Sequence, residues 1–290
     1  MRTFQFVTVD VFTDRRFGGN PLAVFPDAQG MTDAEMQSLA AEFNLSETTF
    51  VLPPADKANT ARVRIFNRKS EMPFAGHPNV GTAWVLRDRG SKLRFEEIAG
   101  LVEVEIADGK PTIAAPQPLQ LGAEMPADLL AGCVGIATNE VIVANHKPVL
   151  ATVGNSFVIA EVTGEALTRA VPDLGRIREA HKRYDAAGPG RLPLYLYAHD
   201  GTNDGARVRT RMFSPMSGTV EDPATGSAAT PLAALLLSLK KDSEHKITIV
   251  QGVEMGRPSL LLCAAKRGAD GIRATVGGGC VPVLKGEVSL

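Results

Sequence analysis

The sequence predicts an α+β protein built as two pseudo-symmetric domains, and three observations predict it. A turn of pattern Glu-x-Pro-x-x-Gly occurs twice, as EMPFAGHP (71–78) and EDPATGSA (221–228), with matched residues 150 positions apart. A similar strand-like stretch precedes each copy, ARVRIF (61–66) and ARVRTRMF (206–213), and an apolar helical stretch follows each. Much of the rest is short runs rich in Val, Ile, Thr and Phe, bounded by Gly, Pro, Asn and Asp, the pattern of strands. A chain of 290 residues has room for two ordinary domains.

Taken in order, residues 3–11 alternate as a strand, and FGGNPLAVF breaks at Gly18-Gly19 and Pro21 before a second strand begins. MTDAEMQSLAAEFN is predicted helical. Thr32 is the N-cap, Glu35 completes a capping box, and Met36, Leu39, Ala40 and Phe43 form the apolar stripe. SETTFVL and TARVRIF read as strands. The first repeated turn leads into a helix through NVGTAWVLRDR. LRFEEIAGLVEVEIADGKPTIAAP reads as a meander with turns at Ala99-Gly100 and Asp108-Gly109. Proline is dense in PQPLQLGAEMP (116–126), which divides an N-terminal domain at 1–118 from a C-terminal domain at 119–281. The last residues, about 282–290, are assigned back to the first domain. Strands are expected around 139–161, with a hairpin turn at Gly154-Asn155, and helices near 163–183. LPLYLYAH and GARVRTRMF follow as strands, then the second turn and the helix SAATPLAALLLSL. The strands KITIVQG, SLLLCAAK and IRATVGG close the chain.

Composition narrows the function. With 31 Lys+Arg against 32 Asp+Glu and no basic run, a nucleic-acid partner is not expected. MRTFQFVTVDVF reads as a strand and not as a signal peptide, and the most apolar helix is too short to span a membrane. The expectation is a cytoplasmic protein without a membrane partner. Cys133, Cys263 and Cys280 are scattered, with no CxxC spacing, which argues against a disulfide framework or a zinc site. No cluster of His, Cys and carboxylates has metal spacing. No phosphate-loop or zinc-protease motif is present. VGGGC (276–280) reads as a tight turn or a close backbone approach.

The chemistry centres on the two turns. Each delivers the chain to a helix N-terminus, where the first N–H groups lack intrahelical partners and the dipole favours negative charge. Gly76 and Gly226 permit close approach of a ligand. The pair would therefore cradle a carboxylate, although either turn alone reads equally as a plain helix start. His77 sits on the first turn, where a neutral imidazole is expected. Asp222 stands beside Glu221 on the second; the two carboxylates are either dipole complements or site groups. Ser227 is either an N-cap or a hydroxyl donor to a substrate. Glu47, in NLSETTF, stands just past a helix where a short strand rich in Thr and Phe begins, a setting in which partial desolvation would raise a carboxyl pKa and suit it to proton transfer.

The blocks VDVFT…FGGNPLAVF, NLSETTFV, RIFNRKSEMPFAGHPNVGTA, EDPATGSA and QGVEMGRPS occur in the order of the PhzF family of phenazine-biosynthesis-like proteins. The chain resembles that family along essentially its whole length. The resemblance implies a diaminopimelate-epimerase-like fold, in which each domain wraps a mostly antiparallel sheet around a central helix and the active site lies between the domains. It implies isomerisation of trans-2,3-dihydro-3-hydroxyanthranilate or a similar small carboxylate, with no metal and no organic cofactor, in a homodimer. Glu47 would be the acid/base, and His77, Asp222 and Ser227 would hold the substrate. Racemases of this fold carry a Cys on each turn; here the positions hold His77 and Ser227. An epimerase of an amino or hydroxy acid, and a non-catalytic small-molecule-binding or interaction protein, remain the alternatives.

Overall fold

A computed structural model describes residues 1–201 and 206–290. The chain divides into two compact units, Met1–Ala114 with Gly277–Leu290, and Ala115–Val276.

In the first unit, β1 (Thr3–Val11) pairs antiparallel with β2 (Asn20–Phe25). The chain passes through α1 (Asp33–Phe43) to β3 (Glu47–Leu52), which lies parallel to β2. β4 (Ala61–Phe66) is antiparallel to β3 and pairs with the two-residue β5 (Glu71–Met72). α2 (Gly76–Val85) carries the chain to β6 (Lys92–Glu97), parallel to β4. β7 (Gly100–Ala107) and β8 (Lys110–Ala114) continue as the expected meander.

The second unit opens with β9 (Gln120–Glu124), α3 (Ala127–Val134) and β10 (Val141–Ile142). β11 (Val149–Thr152) is antiparallel to β9 and to β12 (Ser156–Val162). α4 (Gly164–Arg169) and α5 (Leu174–Arg183) lead to β13 (Leu194–His199), parallel to β12. β14 (Arg207–Ser214) is antiparallel to β13 and pairs with β15 (Thr219–Asp222). α6 (Gly226–Ser238) then leads to β16 (Glu244–Gln251), parallel to β14 and antiparallel to β17 (Ser259–Gly268). After β18 (Gly271–Gly277), the chain returns to the first unit as β19 (Cys280–Ser289), antiparallel to β1.

The repeat is therefore one of pairing order. β2–β3–β4–β6–β7 with α2 recurs as β12–β13–β14–β16–β17 with α6. Both helices are buried on nearly every side. α2 is buried from Gly76 to Ala83, and in α6 every residue except Ser227 and Ser238 is buried. Gly81 allows the fit of α2, since a Cβ there would come within 2.6 Å of Leu22 and 2.7 Å of Val11. Phe25, Phe43, Phe50 and Phe66 pack as a chain of ring contacts beneath α1.

Several expectations need correction. The proline-dense boundary holds strand β9, and α3 follows it unforeseen. At eight residues α3 is too short for a periodic signal, although Pro126 and a left-handed Gly135 bracket it. β19 was not expected as a strand, because Pro282 and Gly286 dilute its β-forming residues; its register against β1 shifts between Thr8, paired with Leu284, and Val9, paired with Pro282. The first repeated helix starts at Gly76, so His77 is helical. The strand expected from Gly205 is seen from Arg207, and Gly205 itself lies outside the described residues. VGGGC is a close backbone approach: a Cβ on Gly279 would sit 2.8 Å from the Thr13 carbonyl oxygen.

Candidate active site

Glu47 is the first residue of β3, and His77 the second of α2. Alternation along β3 puts Glu47 and Thr49 on one face. Thr49 Oγ1 bonds Thr82 Oγ1 of α2 at 2.8 Å, and Glu47 Oε2 lies 3.1 Å from His77 Nδ1. The same strand and helix thus hold both pairs. The Glu47 side chain is 17% exposed and that of His77 6%. Burial pushes the imidazole pKa down from 6.5 to about 3, and the Pro21 carbonyl, accepting from the ring, opposes this only in part. The N-terminus of α2 adds to the preference for a neutral ring. A neutral His77 has one N–H; on Nδ1 it is shared between the Pro21 carbonyl and Glu47 Oε2, which leaves Nε2 as an acceptor that is buried and meets no partner among the described residues.

The α2 N-terminus is open. Its N-cap is Ala75, with no side-chain cap, and no acidic residue lies in its first turn. α6 is alike: its N-cap is Thr225, whose hydroxyl does not cap the helix, and its first turn has no acid. Ser227 is therefore not the N-cap that was one of its two expected roles; it is the second helical residue and half-buried. The Thr225 hydroxyl donates instead to Asp222 Oδ2 at 2.5 Å. Asp222 is 8% exposed. Gly76 and Gly226, the first residues of the two helices, are both buried.

Sequence reasoning left Glu71 and Glu221 without distinct roles, and the structure gives them one. Arg64 on β4 grips Glu71 through Nε (2.7 Å) and Nη2 (2.6 Å). Arg211 on β14 grips Glu221 through Nε (2.7 Å) and Nη2 (2.8 Å). Each guanidinium also lies over a Phe two residues on, Phe66 at 5.1 Å and Phe213 at 4.8 Å. Bidentate pairs of this kind fix geometry as well as charge. The repeated Glu is a brace between a strand and its turn. Only part of the signal was in the sequence: both preceding strands contain Ala-Arg-Val-Arg, but Arg64 closes the first run whereas Arg211 lies two residues beyond the second.

Two further residues were missed. Gln251, the last residue of β16, is fully buried and holds the second turn: Nε2 donates to the Asp222 carbonyl (2.8 Å) and to Thr225 Oγ1 (3.0 Å). Its Oε1 accepts from Tyr195 at 3.1 Å and from the Thr225 N–H at 3.3 Å. Asp10, 2% exposed, accepts the Phe17 N–H at 2.7 Å, in a loop where Phe12 (φ 65°) and Phe17 (φ 66°) are both left-handed. That loop precedes β2, at the sheet end where Leu22 pairs with Glu47. The three cysteines are buried free thiols on α3, β17 and β19, away from both turns in sequence. Among the described residues no group of three His, Cys, Asp or Glu side chains could hold a metal ion, and no helix is long and apolar enough to cross a membrane.

Comparison with known proteins places this architecture. Residues 9–286 match the family described as phenazine biosynthesis-like protein (PhzC-PhzF). The chain is 35% identical over 296 residues to a trans-2,3-dihydro-3-hydroxyanthranilate isomerase of Pseudomonas chlororaphis, covering 99% of each chain. Its structure is similar to the crystal structure of a PhzF-family phenazine biosynthesis protein from Bacillus anthracis, with a TM-score of 0.88 at 25% identity and full coverage of both chains. A hydroxyproline epimerase from Agrobacterium vitis shares the fold, with a TM-score of 0.61 at 16% identity over 99% of this chain and 91% of that one.

Proposed function

The chain belongs to the phenazine biosynthesis-like (PhzC-PhzF) family and is an isomerase, and we propose that Glu47 is the single acid/base that moves a proton on its substrate. The substrate class is a small cyclic carboxylate of the trans-2,3-dihydro-3-hydroxyanthranilate type, the compound on which the Pseudomonas relative acts. The observation that supports the reading is the contact between Glu47 Oε2 and a buried, neutral His77.

A neutral imidazole cannot serve as the acid at neutral pH, so the proton that leaves one carbon is returned by the group that took it. Glu47 removes a ring proton: a C–H bond breaks, an O–H bond forms, and the electron pair enters the ring π system. The O–H bond then breaks as a C–H bond forms at a second ring carbon, and the composition is unchanged. His77 donates to Oε2 and fixes the carboxylate, which leaves Oε1 to meet the substrate. The open N-termini of α2 and α6, with Gly76, Gly226 and the Ser227 hydroxyl, hold the substrate carboxylate. Asp222, held by Thr225, accepts from its amine or hydroxyl.

Epimerisation would need a proton donor on each face of one carbon, and the two turns offer His77 and Ser227 where paired thiols would stand. The test is stereochemical. Substrate deuterated at the migrating position, followed by NMR, is expected to give product that keeps part of the label, on the same ring face. Complete loss of label to solvent, with inversion at one carbon, would overturn the assignment in favour of an epimerase.

A further inference from the structure

β6 and β16 occupy matching places. Each runs parallel to the strand before a repeated turn, and each is followed by a bond to that turn's proline carbonyl, from the Ala99 N–H to Pro73 (3.1 Å) and from Ser259 Oγ to Pro223 (2.8 Å). The last residues of the two strands are Glu97 and Gln251. Gln251 satisfies both ends of its amide on the second turn. Among the described residues, both Glu97 carboxyl oxygens are buried with no hydrogen-bond partner, and so is Oδ1 of the neighbouring Asn79. Asn79 Nδ2 is committed to the Ala75 carbonyl at 3.0 Å, the N-cap of α2.

A carboxylate only accepts, so the one donor near an ionised Glu97 is the Asn79 amide, which is already committed to the Ala75 carbonyl, while the Asn79 amide oxygen has no donor of its own. A protonated carboxyl has a donor end and an acceptor end, as the Gln251 amide does. We propose that Glu97 is held as a neutral acid whose O–H bonds Asn79 Oδ1, and that it positions the α2 start, and so His77, as Gln251 positions the second turn.

The surroundings agree. Burial pushes the Glu97 pKa up from 4.5 to about 8, with Asn79 as the counteracting neighbour. Among the described residues no cation acts on the Glu97 carboxyl. On β4, Arg64 is engaged by Glu71 and Asp33, and Arg62 acts on Glu96, whose carboxylate is held by the Ala55 and Asp56 N–H groups and by Asn59. On β7, exposed Glu103 and Glu105 face Arg94 and Lys92 of β6. α2 contributes His77, which is neutral.

Glu97 is a positioning residue, and its role rests on the assignment of the α2 start to the active site. The test compares wild type, Glu97→Gln and Glu97→Ala by denaturant unfolding across pH, by the NMR signals of the His77 ring and by infrared spectroscopy. Below pH 4.5 the carboxyl is protonated in both folded and unfolded states. As pH rises from about 4.5 to 8 only the unfolded state ionises, so wild type loses stability relative to Glu97→Gln. The ratio of their unfolding constants is expected to change up to tenfold per pH unit in that window. Glu97→Gln should keep the wild-type His77 signals and lack one carboxylic-acid C=O band seen in wild type at pH 6. Glu97→Ala should shift the His77 signals or fail to fold. The proposal is overturned by a ratio flat with pH, by Glu97→Gln displacing His77, or by folded Glu97→Ala leaving it in place. These readouts use no turnover, so a failure of Glu47 as proton shuttle would leave them unchanged.

Discussion

Acid destabilises this protein through His77. The ring stays neutral in the fold until about pH 3, whereas in the unfolded chain it takes a proton near pH 6.5. Above pH 6.5 the ring is neutral in both states and contributes no pH dependence. Between those values the unfolded state binds one more proton, so stability falls as pH falls, by about 1.4 kcal/mol per unit. At pH 5 the loss is about 2 kcal/mol, and near pH 3 it reaches a ceiling of about 5 kcal/mol. That is a large share of the 5–15 kcal/mol typical of a folded protein. The perturbation that isolates the effect is His77→Asn, which cannot take up the proton. Unfolding of both proteins in urea, from pH 7 to pH 4.5, cancels the titrating groups that do not touch His77. The wild-type advantage should shrink with the slope of about one proton as pH falls. A difference flat across the window, or an NMR titration of the folded His77 ring near pH 6.5, would refute the argument that burial keeps the ring neutral.

Three further outcomes are expected. Arg211→Ala, which strands the Glu221 carboxylate and the carbonyls of Leu167, Thr168 and Ala170, should cost about 3–5 kcal/mol by urea unfolding, and a loss under 1 kcal/mol would deny the brace. Gly81→Ala should cost about 1–3 kcal/mol, since its methyl group meets Leu22 and Val11, and an unchanged midpoint would show that α2 can shift freely. Thr225→Val should reduce turnover more than stability by releasing Asp222; equal turnover would separate Asp222 from the chemistry.

How much was legible in the sequence depended on the range of the interactions. The capping box at Thr32 and Glu35, the turn at Asp108-Gly109 and the repeated Pro/Gly turns are local, and local chemistry determines them. β19 was not legible as a strand, because its pairing with β1 joins residues that are distant in sequence, and Pro282 masks its propensity. The site divides in the same way. Glu47, His77, Asp222 and Ser227 stood out as polar residues on or near two odd turns. Gln251, although it opens the block QGVEMGRPS, and Glu97 did not, because nothing local marks the job of a buried strand end; only the pairing order reveals that they are counterparts. The Ser227 cap went astray because Thr225 precedes it and turns its hydroxyl to Asp222.

The central claim is that Glu47 alone carries the proton, and Glu47→Gln tests it most directly. Turnover of trans-2,3-dihydro-3-hydroxyanthranilate and calorimetric binding of the same compound are measured on wild type and variant. The account predicts that the variant binds within a few-fold of wild type and that its turnover falls to background, a larger loss than the roughly 10²–10⁴-fold usual for a group that only assists proton transfer. Turnover within tenfold of wild type would contradict it and assign the proton to another group.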